Sequence, residues 1–204
     1  MSQATFLTPK YGASITFMQT DPEILDAESP PRAGVNGPPP RPAKIRVRTT
    51  VGFMLSHPLH LISLGFGSGL ARIAPGTVGT LFAWLSFIVL DRYLSETAWA
   101  AVIGIGFVAG IWITGFTARR MGIADPSPVV WDEIIAFWLI MLLITPATGA
   151  AQFGAFVVFR FFDAVKPPPI GYLDRRVKGG LGIMLDDLAA AFCSLLVIAV
   201  WRAY

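Results

Sequence analysis

The chain is predicted to be an all-α, polytopic membrane protein with about four to five membrane-embedded helices and a Gly-rich re-entrant or interfacial segment. Three observations predict it. Of its 204 residues, 54% are hydrophobic and 14% charged, against about 25% charged in an ordinary soluble domain. Ala98–Ala118 carries no charge at all, and a helix needs roughly 20 apolar residues to cross a bilayer. Basic clusters at Arg41–Arg48, Arg119–Arg120 and Lys166–Lys178 punctuate the apolar runs, as the excess of Lys and Arg in cytoplasmic loops requires. A soluble bundle with a very apolar core is the competing class, and the length of Ala98–Ala118 argues against it.

Residues 1–48 differ in kind from the rest of the chain. Pro30, Pro31, Pro38, Pro39, Pro40 and Pro42 stand among Gly, Ser and Asp, a composition that cannot bury enough apolar surface to offset its ordering entropy. This stretch is expected to be a disordered extension ending in a basic anchor, Lys44–Arg48, with residues 49–204 forming one helical membrane domain. No signal-peptide pattern precedes it, so insertion is expected to use an internal span. Phe53–Leu64 contains Pro58, which argues against an unbroken span. His57 and His60 within it are expected to be structural rather than metal ligands.

Gly65–Thr80 (GFGSGLARIAPGTVGT) combines glycines with a Pro75-Gly76 turn signal. Thr77 is expected to cap the next helix, and backbone N–H groups at such a start suit a phosphate. Close helix packing by small residues is the competing reading, and spacing alone favours it. With the three basic clusters inside, Thr77–Leu90 runs outward, Ala98–Ala118 returns, Ile134–Ile144 and Ala150–Phe162 form a pair about the Pro146–Gly149 break, and Leu188–Trp201 crosses last.

This topology gathers carboxylates onto one face. Asp132 and Glu133 fall at the start of the third helix, Asp163 at the end of the fourth, and Asp186 and Asp187 at the expected start of the last. Helix dipoles alone account for acidic residues at helix starts, but not for Asp163 at a helix end, where Arg160 is placed to pair with it. A set made wholly of oxygen donors suits Mg²⁺. The lone Cys193 excludes an intrachain disulfide and a cysteine-rich metal site. The net charge of +3 fits lipid headgroups and orientation rather than nucleic acid.

Three segments then carry a resemblance: GFGSGLARIAPGTVGTL, VVWDEIIAFW, and FRFFDAVKPPPIGYLDRRVKGGLGIMLDDLAAA. With these, the chain from about Leu61 onward resembles phosphatidylglycerophosphatase A, a bacterial membrane lipid phosphatase. The resemblance implies Mg²⁺-dependent hydrolysis of the terminal phosphate of phosphatidylglycerophosphate, at the cytoplasmic face of the bacterial inner membrane. It places Asp132, Glu133, Asp163, Asp186 and Asp187 in the acidic motifs, read here as metal ligands and catalytic groups, and Lys166, Asp174 and Arg175 in matching positions. Lys166, Arg175, Gly67, Ser68, Gly69, Arg72 and Thr77 are the expected phosphate contacts. Arg72 departs from the proline expected there. The expected partners are the phospholipid substrate and the membrane, and a homo-oligomer is compatible with this reading. Two other functions compete: a cation transporter or channel using the same carboxylates, and another membrane lipid phosphotransferase. No internal repeat supports a transporter, and no DG-x-x-AR pattern supports a CDP-linked phosphotransferase.

Overall fold

A computed structural model describes residues 49–168, 171–172 and 176–203. The expected disordered extension, and Asp174 and Arg175 of the basic loop, lie outside the described residues. Every regular element among those described is helical, as the apolar runs require.

Two short helices come first, α1 (Val51–Leu55) and α2 (Pro58–Ser63). They break where Pro58 predicts, because proline is at home in a first turn and not in a helix interior. His57 caps α2 by accepting from the Leu59 N–H at 3.1 Å. His60 is buried, with Nδ1 3.0 Å from Thr117 Oγ1 and its ring stacked on Phe53. Both histidines therefore serve packing and capping.

A 3₁₀ segment, Gly65–Leu70, leads into α3 (Pro75–Leu90). The helix starts two residues before the expected Thr77. Its N-cap is Ala74, in a left-handed conformation and with no side-chain cap bond. Thr77 lies inside the first turn and does not cap. Pro75 explains the shift, since its fixed φ initiates a helix without needing its missing N–H.

The longer helices are α4 (Glu96–Met121), α5 (Trp131–Ile144), α6 (Gly149–Val165) and α7 (Gly179–Ala203). Among the described residues, α4 and α7 are long and apolar enough to cross a membrane, while α3 is shorter. These two candidate spans support part of the four to five membrane-embedded helices expected. At about 1.5 Å per residue, the 26 residues of α4 exceed a hydrocarbon core of about 30 Å.

Helix α5 is the centre. Ile134, Ile135, Phe137, Trp138, Ile140 and Met141 are all buried, so beyond its first turn α5 is apolar all round, as a largely enclosed helix must be. Its indole N–H groups are satisfied at the neighbours' backbone: Trp131 donates to Gly106 O of α4 and Trp138 to Ala83 O of α3, each at 3.0 Å. An unbonded indole N–H in such surroundings is costly.

The start of α7 is where sequence and structure differ most. It begins at Gly179, not near Leu188, because Gly180 lets the chain press against α4. A Cβ on Gly180 would overlap Ile111 O, and one on Gly115 would lie 3.2 Å from Gly180 N. This is the small-residue contact that brings two helix backbones together. Asp186 and Asp187 consequently stand about two turns inside α7, not at its start, and the helix dipole no longer accounts for them.

Candidate active site

Helix α5 presents Asp132 and Glu133 from its first turn, and α7 presents Asp187 across from them. One carboxylate oxygen of each lies within 4.8 Å of the others. All three residues are nearly inaccessible, and Asp132 Oδ1, Glu133 Oε2 and Asp187 Oδ2 have no hydrogen-bond partner among the described residues. Buried polar atoms are rarely left so. Burial, then the neighbouring Glu133, pushes Asp132 well above the usual carboxylate range. Burial, then Asp187, pushes Glu133 up to about 8. Both precede the apolar stretch of α5, and a cation among them reverses the direction of both shifts.

The other two predicted carboxylates are spoken for by basic side chains. Asp163, in the last turn of α6, pairs with Arg160 one turn earlier. The pair offsets a negative charge at a helix C-terminus. The Arg160 guanidinium also reaches Glu133 Oε1 at 3.8 Å and Thr80 Oγ1 at 3.5 Å. Asp186 pairs with Lys166, the left-handed C-cap of α6.

These groups line one cavity of about 280 Å³. Its acidic wall is Asp132, Glu133, Asp163, Asp186 and Asp187, and its basic wall Arg160, Lys166 and Lys178. The residues leading from α4 into α5 add Asp125 and Ser127, and the start of α3 adds Ala74, Pro75 and Gly76. So small a space, with charges of both signs, suits an anion together with a cation.

Of the residues expected to hold phosphate, Lys166 lines the cavity, whereas Gly67, Ser68, Gly69, Arg72 and Thr77 do not. Ser68 Oγ donates to Gly65 O at 2.8 Å. Gly69 gives room for the Pro128 carbonyl, and Gly65, at φ +54°, for Val130 and Ile134. These glycines serve close packing. Gly76, Gly179 and Gly182 line the cavity, and a Cβ on Gly76 would overlap Glu133 Oε1 and lie 3.0 Å from Arg160 Nη2. Arg160, Gly76, Asp125, Ser127 and Lys178 were not among the predicted site residues. Arg160 carried a signal in its i,i+3 spacing to Asp163, Gly76 in the Pro75-Gly76 turn, and Lys178 in the basic cluster that it ends.

The helical fold thus combines two helices long and apolar enough to cross a membrane with a cavity walled by acidic and basic side chains. Comparison with known proteins gives the family. The model described as phosphatidylglycerophosphatase A matches residues 61–202. Phosphatidylglycerophosphatase A of Escherichia coli K12 is 39% identical over 140 residues, covering 69% of this chain and 81% of that protein. The Haemophilus influenzae protein of the same name is 35% identical over 144 residues, covering 71% and 88%. A Bacteroides thetaiotaomicron protein, provisionally named a phosphatidylinositol-3-phosphatase, is 39% identical over 148 residues, covering 70% and 92%. No solved structure matches significantly. The chain belongs to the phosphatidylglycerophosphatase A family, and it is a phosphatase.

Proposed function

We propose that this protein hydrolyses the terminal phosphate of phosphatidylglycerophosphate, yielding phosphatidylglycerol and inorganic phosphate. The work is done at the cytoplasmic face of a bacterial inner membrane, with Mg²⁺ as the cation. The observation that carries the reading is the trio Asp132, Glu133 and Asp187, whose inward oxygens converge within 4.8 Å beside Arg160 and Lys166 in one cavity. Hard oxygen donors without hydrogen-bond partners suit Mg²⁺, which commonly shares its shell with substrate phosphate. When bound, the ion would neutralise phosphate oxygens and lower the pKa of water.

The chain's own groups supply the rest. Arg160, Lys166 and Lys178 attract the phosphate monoester, and the arginine's planar fork suits two of its oxygens. Glu133 is the group placed to accept a proton from the attacking water. The water oxygen bonds to phosphorus, the phosphorus–glycerol oxygen bond breaks, and the proton that Glu133 takes from the water is returned to the departing glycerol oxygen. Asp163 and Asp186 hold Arg160 and Lys166 in place.

The membrane setting rests on α4 and α7 and on exposed apolar side chains along the helices, among them Leu85, Ile105, Trp112, Phe153 and Leu196. We infer that α3, α5 and α6 are embedded with them. Arg119 and Arg120 at the cavity end of α4 favour a cytoplasmic cavity by the positive-inside rule.

The test is phosphate release by the purified chain from phosphatidylglycerophosphate, with Mg²⁺ and with chelator. Phosphatidylinositol 3-phosphate is assayed alongside, because one relative carries that name. Mg²⁺-dependent release from phosphatidylglycerophosphate is expected. Release confined to the phosphoinositide, or indifferent to chelator, would overturn the reading. Running the reaction in ¹⁸O-labelled water and finding a phosphorylated aspartate would replace direct water attack with a covalent intermediate.

A further inference from the structure

The helices around α5 are joined by contacts of very different kinds. Helices α4 and α7 meet backbone to backbone at Gly115 and Gly180. Phe87 stacked on Trp99 joins α3 to α4, and Lys166 with Asp186 ties the end of α6 to α7. The seam between α3 and α6 is pinned away from the cavity, where Trp84 donates to Gln152 at 2.9 Å and stacks on Phe156. Nearer the cavity, Arg160 reaches across to Thr80.

Beyond Arg160 the seam gives way to the cavity itself. Ala74 and Pro75 on the α3 side and Asp163 and Lys166 on the α6 side all line it. The residues next in sequence to the lining Ala74, Arg160 and Lys166 are apolar and bare: Ile73 is 86% exposed, Phe161 57% and Val165 57%. Phe161 and Val165 continue an exposed stripe from Phe153 and Val157, four residues apart and so on one face of α6. An apolar track thus runs the length of α6 and ends at the charged cavity.

A volume of about 280 Å³ lies just below the roughly 300 Å³ lower bound for small-molecule sites. It holds a phosphorylated headgroup and not two acyl chains. A lipid must therefore keep its chains outside while its phosphate is inside, which needs an apolar surface continuous with the cavity mouth. We propose that the diacyl portion of the phosphate-bearing lipid lies on the α3–α6 seam against Phe161, Val165 and Ile73, and that the headgroup passes sideways from the bilayer into the cavity. This rests on the lipid-phosphatase reading above.

The test places the photoreactive residue p-benzoylphenylalanine at Phe161, at Val165 or at Ile73 of the full chain, with Trp112 of α4, 71% exposed, as the control. The protein is reconstituted in phosphatidylcholine vesicles containing a small fraction of a non-hydrolysable phosphonate analogue of phosphatidylglycerophosphate, with Mg²⁺. After illumination, the ratio of phosphonate lipid to phosphatidylcholine in the adducts is measured. Enrichment of about tenfold or more over the bilayer ratio, a binding preference of about 1.4 kcal/mol, is expected at the seam, with none at Trp112. Enrichment equal at all positions, or greatest at Trp112, would overturn the proposal. Turnover of phosphatidylglycerophosphate by the unmodified chain is measured in the same vesicles. Its absence defeats the phosphatase reading, whereas turnover without seam enrichment defeats the seam alone.

Discussion

Gly76 and Glu133 share one space: a Cβ on Gly76 would overlap Glu133 Oε1. Helix α3 can approach α5 at the cavity because Gly76 has no side chain, and Arg160 sits 3.0 Å from the same point. Gly76→Ala is expected to displace the Glu133 carboxylate and lower kcat by about tenfold or more, with helix content retained. Circular dichroism and steady-state kinetics on one preparation check this. An unchanged kcat would show that Glu133 has room to move.

Asp132, Glu133 and Asp187 crowd like charges into a buried space. Asp187→Asn removes one of them. In chelator the variant is expected to melt above the wild type, because repulsion and desolvation are relieved. With Mg²⁺ the order should reverse, since the wild type alone gains from the ion. Activity is expected to fall by about a hundredfold or more. Thermal melts with and without Mg²⁺ separate this from a merely structural aspartate, whose loss would lower stability in both.

The raised Glu133 sets a pH dependence. Its pKa is pushed from the ordinary 4.5 to about 8 by burial and Asp187. A carboxyl that binds its proton more tightly in the folded state contributes stability below pH 4.5 that is lost as pH rises through 8. Ion-free protein is therefore expected to lose stability across that window, and Mg²⁺ to restore it. Because the ion competes with the proton, the Mg²⁺ concentration for half-maximal activity should fall as pH rises toward 8. Titrations at several pH values read it directly.

Phosphate recognition is expected to follow the cavity and not the Gly-rich segment. Ser68→Ala and Arg72→Ala, both away from the cavity, should change kcat/KM by no more than about threefold, the ordinary scale for surface substitutions. Arg160→Ala should cost about a hundredfold or more, because it removes the link among Asp163, Glu133 and Thr80 as well as a phosphate partner. Arg160→Lys is expected to recover part of the loss, since it restores charge without the planar fork.

Gly180 tests the helix contact that seats Asp187. A Cβ there would overlap Ile111 O, and forcing α4 from α7 is expected to cost about 1–3 kcal/mol. Gly180→Ala should thus lower the melting temperature, and it should weaken Mg²⁺ stabilisation as Asp187 shifts from Asp132 and Glu133. Gly104→Ala, with open space around its position, is the matched control and should be neutral.

Much of this was written in the chain itself. Uncharged length determined that Ala98–Ala118 is a long helix, because a run of that kind has few other stable states. Pro58 determined the break between α1 and α2, and the Asp163–Arg160 spacing determined their ion pair, both being local effects of backbone and helix geometry. The ordered motifs determined the family. Tertiary structure decided what depends on approach between distant segments. It decided that α7 starts at Gly179, since that needs Gly115 of α4 opposite Gly180. It decided that Gly76 and not Gly67–Gly69 borders the carboxylates, since every glycine looks alike until its neighbour is known. It also decided that Asp132, Glu133 and Asp187 converge while Asp163 and Asp186 take basic partners. A sequence records charge and spacing along one line, and the distance between two carboxylates on different helices is set by how closely those helices pack.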